Sequence, residues 1–184
     1  AYDAWGPKCL ERFNGMWAFV IFDSLKQRVF IARDRFGKKP FYYARSASSY
    51  VFASEIKAIL EHPEIRTEPN LQRCQSYLDR GASVQGVETE FVGINRFPAA
   101  SYIECSLEDL LAGNATPERY WSVRANCSDE PFDEATARQL AARYYELLED
   151  AVRLRLRADV KVGSALSGGL DSSSIVFLVN KLLK

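Results

Sequence analysis

Histidine occurs once in these 184 residues, at His62, and methionine once, at Met16. A lone imidazole without a partner gives no support to a serine or cysteine hydrolase triad. The four cysteines, Cys9, Cys74, Cys105 and Cys127, never fall in Cys-x-x-Cys spacing. Zinc ligation therefore has no framework, and free thiols in a reducing compartment are expected. Excess charge is missing as well: 24 basic and 24 acidic side chains cancel, and the sequence pI is near 6.8. That balance offers no basic face to duplex nucleic acid or to an anionic membrane. The longest uninterrupted apolar run, Met16 to Phe22, falls far short of the roughly 18 to 20 residues that span a bilayer. Asp3, Lys8, Glu11 and Arg12 stand where a secretory signal needs an apolar stretch. The expectation is a cytoplasmic chain with no nucleic-acid or membrane partner, in which the sequons at Asn114 and Asn126 are chance occurrences.

What is present is ordinary globular composition, 47% apolar and 26% charged, with room for one full domain or two partial ones. Met16 to Asp23 and Arg28 to Arg33 read as an antiparallel hairpin with a buried first strand, turning at Ser24 to Gln27. Phe41 to Ala44 and Tyr50 to Ala53 give two more strands, and a short helix from Glu55 to Glu61, capped by Ser54, stops before Pro63. Leu71 to Asp79 predicts another helix, and Ser106-Leu107-Glu108-Asp109 is a capping box opening a brief one. After a polar stretch the period changes, and Leu140, Tyr144, Leu147, Leu148 and Ala151 predict a long amphipathic helix from Asp133 toward Arg157. Arg153, Arg155 and Arg157 suit the negative end of its dipole rather than a nucleic acid.

Chemistry concentrates near the end. Val160 to Leu166 alternates as a strand, Ser167-Gly168-Gly169-Leu170-Asp171-Ser172-Ser173 follows, and Ile175, Leu178, Val179, Leu182 and Leu183 form a helical stripe. A glycine turn aimed at a helix N-terminus makes an anion site, with serine hydroxyls as further donors. An acid inside that loop, Asp171, suits a phosphate bridged by Mg²⁺. Gly163 to Gly168 has Walker-loop spacing, but Gly169 replaces the lysine, and no Gly-x-Gly-x-x-Gly fingerprint exists.

Ser-Gly-Gly-Leu-Asp-Ser-Ser resembles the pyrophosphate loop of the N-type ATP pyrophosphatases. Phe13 to Phe19, Ala32 to Tyr43 and Phe52 to Ala58 narrow the resemblance to glutamine-hydrolysing asparagine synthetases, as do Arg119-Tyr120-Trp121 and Leu148 to Arg153. The resemblance implies an α+β chain. Residues 1–125 would be the C-terminal part of an Ntn-type class II glutaminase of stacked antiparallel sheets, and 126–184 the first strand, loop and helix of an α/β ATP pyrophosphatase domain. By the same resemblance, Mg-ATP adenylates aspartate, glutamine-derived ammonia displaces AMP to give asparagine, and the parent enzyme admits a homodimer. Ser167 to Ser173 (Ser167, Gly168, Gly169, Leu170, Asp171, Ser172, Ser173) would hold pyrophosphate, Asp171 would meet Mg²⁺, and Ala165 and Leu166 would lie near the adenosine.

One departure matters. The family's glutaminase nucleophile is an N-terminal cysteine, whereas residue 1 here is alanine and Cys9 sits in a helical context. The expectation is an internal piece of a longer enzyme, inert by itself. Two other readings stay open: a relative closing an amide ring, as β-lactam synthetases and peptide cyclases do, and a stand-alone nucleotide-binding module. Arg33, Asp34 and Arg35 are expected to hold the fold by salt bridges.

Overall fold

The computed structural model describes residues 1–81, 86–125 and 133–184. Two compact units divide the chain, Ala1–Ala125 and Asn126–Lys184. The first opens with α1 (Tyr2–Trp5), a 3-10 turn and α2 (Cys9–Arg12), then β1 (Ala18–Asp23), β2 (Arg28–Arg33), β3 (Tyr42–Arg45) and β4 (Tyr50–Ala53). It continues with α3 (Ile56–Leu60), α4 (Leu71–Arg80), β5 (Ile94–Arg96), β6 (Ser101–Ser106), α5 (Leu107–Ala112) and β7 (Glu118–Arg119). The strands form two antiparallel sheets, ordered β1-β2-β6-β7 and β4-β3-β5.

The first hairpin pairs Ala18 with Arg33 through Asp23 with Arg28. Its turn is made by Asp23, whose Oδ1 accepts from the N–H groups of Leu25 and Lys26 at 3.1 and 3.0 Å. Alternation along β2 then sorts the layers. Phe30 and Ala32 join Phe19, Ile21 and Tyr102 on one face and meet Cys9 and Leu10 of α2. Val29, Ile31 and Ile103 face the other way, onto Tyr43 and Phe52 of the second sheet and onto Phe41 and Phe97 that flank its strands. The far side of that sheet, with Ala44, Val51 and Ile94, buries Ile59 of α3. Unit 1 is thus layered helix, sheet, sheet, helix.

The buried strand of the hairpin is the second, not the first. Phe30, Ile31 and Ala32 are at most 1% exposed, while Val20 and Phe22 of β1 are 39% and 50% exposed. β2 runs between two neighbours and under two layers, whereas β1 has one neighbour among the described residues. Such an edge invites pairing with another strand. Val20→Lys should lower self-association in sedimentation velocity at high protein concentration, with stability kept within about 0.5 kcal/mol.

Helix ends follow local chemistry. Asn70 accepts from the Arg73 N–H, Ser106 from Asp109 and Asp133 from Ala135 and Thr136. Ser54 does not cap α3: the N-cap residue is Glu55, and no side chain caps that helix. Cys9 is buried, Cys74 and Cys105 are half-buried, and all three are free. Cys127 and Asn126 lie outside the described residues. Among the described residues no helix is long and apolar enough to cross a membrane.

Unit 2 consists of α6 (Glu134–Arg155) and α7 (Leu170–Leu182). Val152 and Leu178 are buried, and Lys181 Nζ reaches Glu149 Oε2 at 2.7 Å and Tyr145 Oη at 3.1 Å. Arg153 pairs with Glu149 and Asp150 and Arg155 donates to the Ala151 carbonyl, so these arginines are spent on their own helix. Leu140, Tyr144 and Leu147 remain 65%, 65% and 54% exposed, while Leu148, Ala151 and Val152 of α6 line a groove with Ile175 and Val179 of α7. The strand expected over residues 160–166 is absent, and Val160, Val162 and Leu166 are 77%, 50% and 62% exposed. A strand exists through its neighbours' hydrogen bonds, and among the described residues none runs alongside.

Candidate functional site

The glycine-serine loop leads directly into α7. Gly168 adopts φ +82°, a left-handed backbone that glycine takes without a Cβ penalty, and nothing lies within 4 Å of where a Cβ would stand. Gly169 is the N-cap residue, its carbonyl accepts from the Ser173 N–H at 3.1 Å, and no side chain caps the helix. The N–H groups of Leu170, Asp171 and Ser172 therefore have no partner inside the helix and point out of its positive end. Ser167 Oγ lies 3.0 Å from Ser172 Oγ, and the Ser172 hydroxyl donates to the Gly169 carbonyl at 3.1 Å.

Ala165, Leu166 and Ser167 run along an exposed segment without regular structure, and Leu170 and Asp171 sit exposed in the first turn of α7. The structure thus gathers Ser167 to Ser173 at one helix end and leaves Ala165 and Leu166 on the approach to it. Donors fit phosphate oxygens, and Gly168 leaves the backbone open to them. Asp171 is one carboxylate, and no group of three or more His, Cys, Asp or Glu side chains among the described residues could hold a metal.

A second constellation lies in unit 1, where β2 turns into β3. The Asp34 side chain, 1% exposed, collects four backbone N–H groups. Its Oδ1 accepts from Phe36 and Lys38 at 3.1 and 2.9 Å, its Oδ2 from Trp17 and Lys39 at 3.3 and 3.0 Å. Burial would raise this carboxyl's pKa, but those donors, Lys39 foremost, outweigh burial and hold it below the usual carboxylate range. Arg33 mirrors the arrangement with carbonyls: Nε donates to Lys39 at 2.8 Å, and its two terminal nitrogens donate to Gly37 and Phe97. Gly37 has φ +60°, and a Cβ there would come within 3.1 Å of Ala99 Cβ and 3.2 Å of Arg33 Cζ.

The salt bridges expected of Arg33, Asp34 and Arg35 are not what holds this turn. Arg33 and Asp34 bond main chain, and a buried charge is satisfied there by several aligned dipoles. Arg35 donates to the Glu11 carbonyl at 3.1 Å and lies over the Trp121 ring. The role of Tyr120, which stacks on Trp17 and donates to the Arg33 carbonyl at 3.0 Å, escaped sequence reading because no local pattern links such distant residues.

Two family models match this chain. A glutamine amidotransferase domain model matches residues 1–121, and an asparagine synthase model matches residues 143–184. Asparagine synthetase [glutamine-hydrolyzing] 3 of Bacillus subtilis is 36% identical over 95% of this chain and 27% of its own length. A putative asparagine synthetase [glutamine-hydrolyzing] 2 of Methanocaldococcus jannaschii is 36% identical over 95% of the chain and 33% of its own. Asparagine synthetase [glutamine-hydrolyzing] 2 of Bacillus subtilis is 34% identical over 95% of the chain and 24% of its own. The chain spans about a quarter to a third of the length of these curated relatives. With well over half of its residues matched by one family model, this chain belongs to the glutamine amidotransferase domain family, and an asparagine synthase segment follows.

Proposed function

We propose that the chain serves an ATP-dependent, glutamine-hydrolysing asparagine synthetase, a carbon–nitrogen ligase. Residues 1–125 belong to its class II, Ntn-type glutaminase domain, and residues 126–184 begin its ATP pyrophosphatase domain. The observation that carries the reading is the Ser167–Ser173 run seated on the uncapped N-terminus of α7, within the segment matched by the asparagine synthase model. The helix–sheet–sheet–helix layering of unit 1 supports the glutaminase assignment.

In this reading the N–H groups of residues 170–172 and the hydroxyls of Ser167, Ser172 and Ser173 grip the pyrophosphate end of ATP. Ala165 and Leu166 flank the adenosine, and Asp171 holds Mg²⁺, which when bound offsets the phosphate charge. The aspartate side-chain carboxylate displaces pyrophosphate from the α-phosphorus, and ammonia then displaces AMP from the acyl carbon to leave asparagine. The grip matters because the β- and γ-phosphates leave as a multiply charged anion, and donors fixed in advance stabilise that charge without reorganising.

Glutamine hydrolysis needs a nucleophile, and Cys9 and Cys105 are poorly suited to that part. Cys9 is buried against Phe30 and Ala32, and burial pushes its thiol pKa up, away from the reactive thiolate. Burial likewise raises the Cys105 thiol.

The test is pyrophosphate release by the enzyme that carries this chain, with ATP, Mg²⁺ and either glutamine or ammonium. Release that depends on aspartate and yields asparagine is expected. Release with another carboxylate, and none with aspartate, would reassign the acceptor; no release with any carboxylate would end the ligase reading.

A further inference from the structure

We propose that Tyr120 and Trp121 form a latch that couples the segment leaving unit 1 to the Asp34 turn, so that displacing the segment loosens the turn. The proposal is independent of the nucleotide reading, since every residue in it lies in unit 1. Tyr120 is fixed at three points. Its N–H donates to the Ala100 carbonyl at 2.9 Å, its hydroxyl donates to the Arg33 carbonyl at 3.0 Å, and its ring stacks on Trp17 at 6.0 Å. Trp121 packs edge-on with Phe36 at 5.2 Å and lies under the Arg35 guanidinium, 5.7 Å from the ring centre. Residues 122–125 are exposed, so the anchoring of this segment stops at Trp121.

Each partner of the latch is also a member of the turn. Phe36 offers its ring to Trp121 and its N–H to Asp34 Oδ1. Trp17 stacks on Tyr120 while its N–H goes to Asp34 Oδ2. Arg33 accepts the Tyr120 hydroxyl at its carbonyl while its guanidinium holds the carbonyls of Gly37, Lys39 and Phe97. Ala100 accepts from Tyr120, and its own N–H donates to the Asp34 carbonyl at 2.9 Å. Two bonded networks that share four residues cannot move separately.

Tyr120 and Trp17 pack against the core cluster of Cys9, Leu10, Phe30 and Ala32, whereas the Trp121 end of the latch is more open. Phe36 is 66% exposed even with Trp121 against it, and Arg35 Nε is buried with no hydrogen-bond partner among the described residues. Ala100 holds φ +53°, a left-handed backbone unfavourable for a residue with a Cβ. The exposed Phe36–Trp121 contact is the part of the latch that opens at lower cost than the sheets beneath it.

The experiment is residue-resolved amide exchange on the full chain carrying Trp121→Ala. The N–H groups of Trp17, Phe36, Lys38 and Lys39, all bonded to Asp34, should exchange about tenfold faster, the effect of losing one aromatic contact. The Ile31 and Ile103 amides in the sheet should keep their rates. Unchanged exchange at the four Asp34-bonded amides would overturn the latch, as would an equal rise in the sheet. Should Trp121→Ala unfold unit 1 altogether, Tyr120→Phe, which removes only the hydroxyl bonded to Arg33, decides by the same two outcomes.

Discussion

Asp34→Asn should destabilise unit 1 by about 3 kcal/mol at neutral pH, a loss typical of leaving buried donors unsatisfied. The wild-type carboxylate offers two oxygens to four N–H groups, two on each. An asparagine keeps one oxygen and turns its NH₂ toward the other two donors, and flipping the amide only exchanges which pair is lost. The pH dependence has a definite sign. Asp34's folded pKa lies below its unfolded value, so its stabilisation is present above the unfolded pKa of about 3.9 and fades as pH falls through the folded one. Asparagine has nothing to titrate. Urea unfolding followed by tryptophan fluorescence should therefore show a gap between wild type and Asp34→Asn that is constant from pH 7 to 5 and narrows below about pH 4. A gap of the same size at pH 3 would mean that the side chain's shape, not its charge, holds the turn.

That turn also shows where sequence reading stops. The hairpins, α4, α5 and α6 are legible because their signals are local: alternation, a capping residue, a glycine or proline where the element ends. Which strand of the first hairpin is interior is not local. β1 and β2 are both apolar, and only the pairing of β2 with β6 puts the first at the edge. The run from Val160 to Leu166 has the alternation of a strand and none of the neighbours that make one. The same limit applies to Arg33 and Asp34. Adjacent opposite charges suggest an ion pair, but each instead satisfies main-chain groups of the turn plus one from elsewhere in unit 1, the Trp17 N–H for Asp34 and the Phe97 carbonyl for Arg33. In the loop before α7, by contrast, residue identity and position nearly coincide. Gly168 takes the left-handed turn and Gly169 the N-cap position, so the donors of residues 170–172 follow from the sequence itself.

Asp171→Asn should separate the two roles proposed for this loop, phosphate binding and metal binding. On its own the helix end attracts anions, and a carboxylate in the first turn opposes a phosphate while favouring a cation beside it. Removing that charge should strengthen binding of metal-free pyrophosphate severalfold, since one repulsion between close charges is gone. Pyrophosphate release from Mg-ATP by the enzyme that carries this chain should fall by about a hundredfold or more, the scale of losing one fixed electrostatic contact to a charge that develops in the reaction. Because Asp171 is exposed, the unfolding midpoint should barely move, so a fall in activity cannot be laid to unfolding. Calorimetric titration with pyrophosphate, with and without Mg²⁺, reads the first effect, and a coupled pyrophosphate assay reads the second. If metal-free binding rises and Mg-dependent turnover is untouched, the residue is a bystander to the metal and the loop grips phosphate alone. If both fall together, Asp171 shapes the loop's backbone rather than its charge, and the proposed metal role of Asp171 is lost.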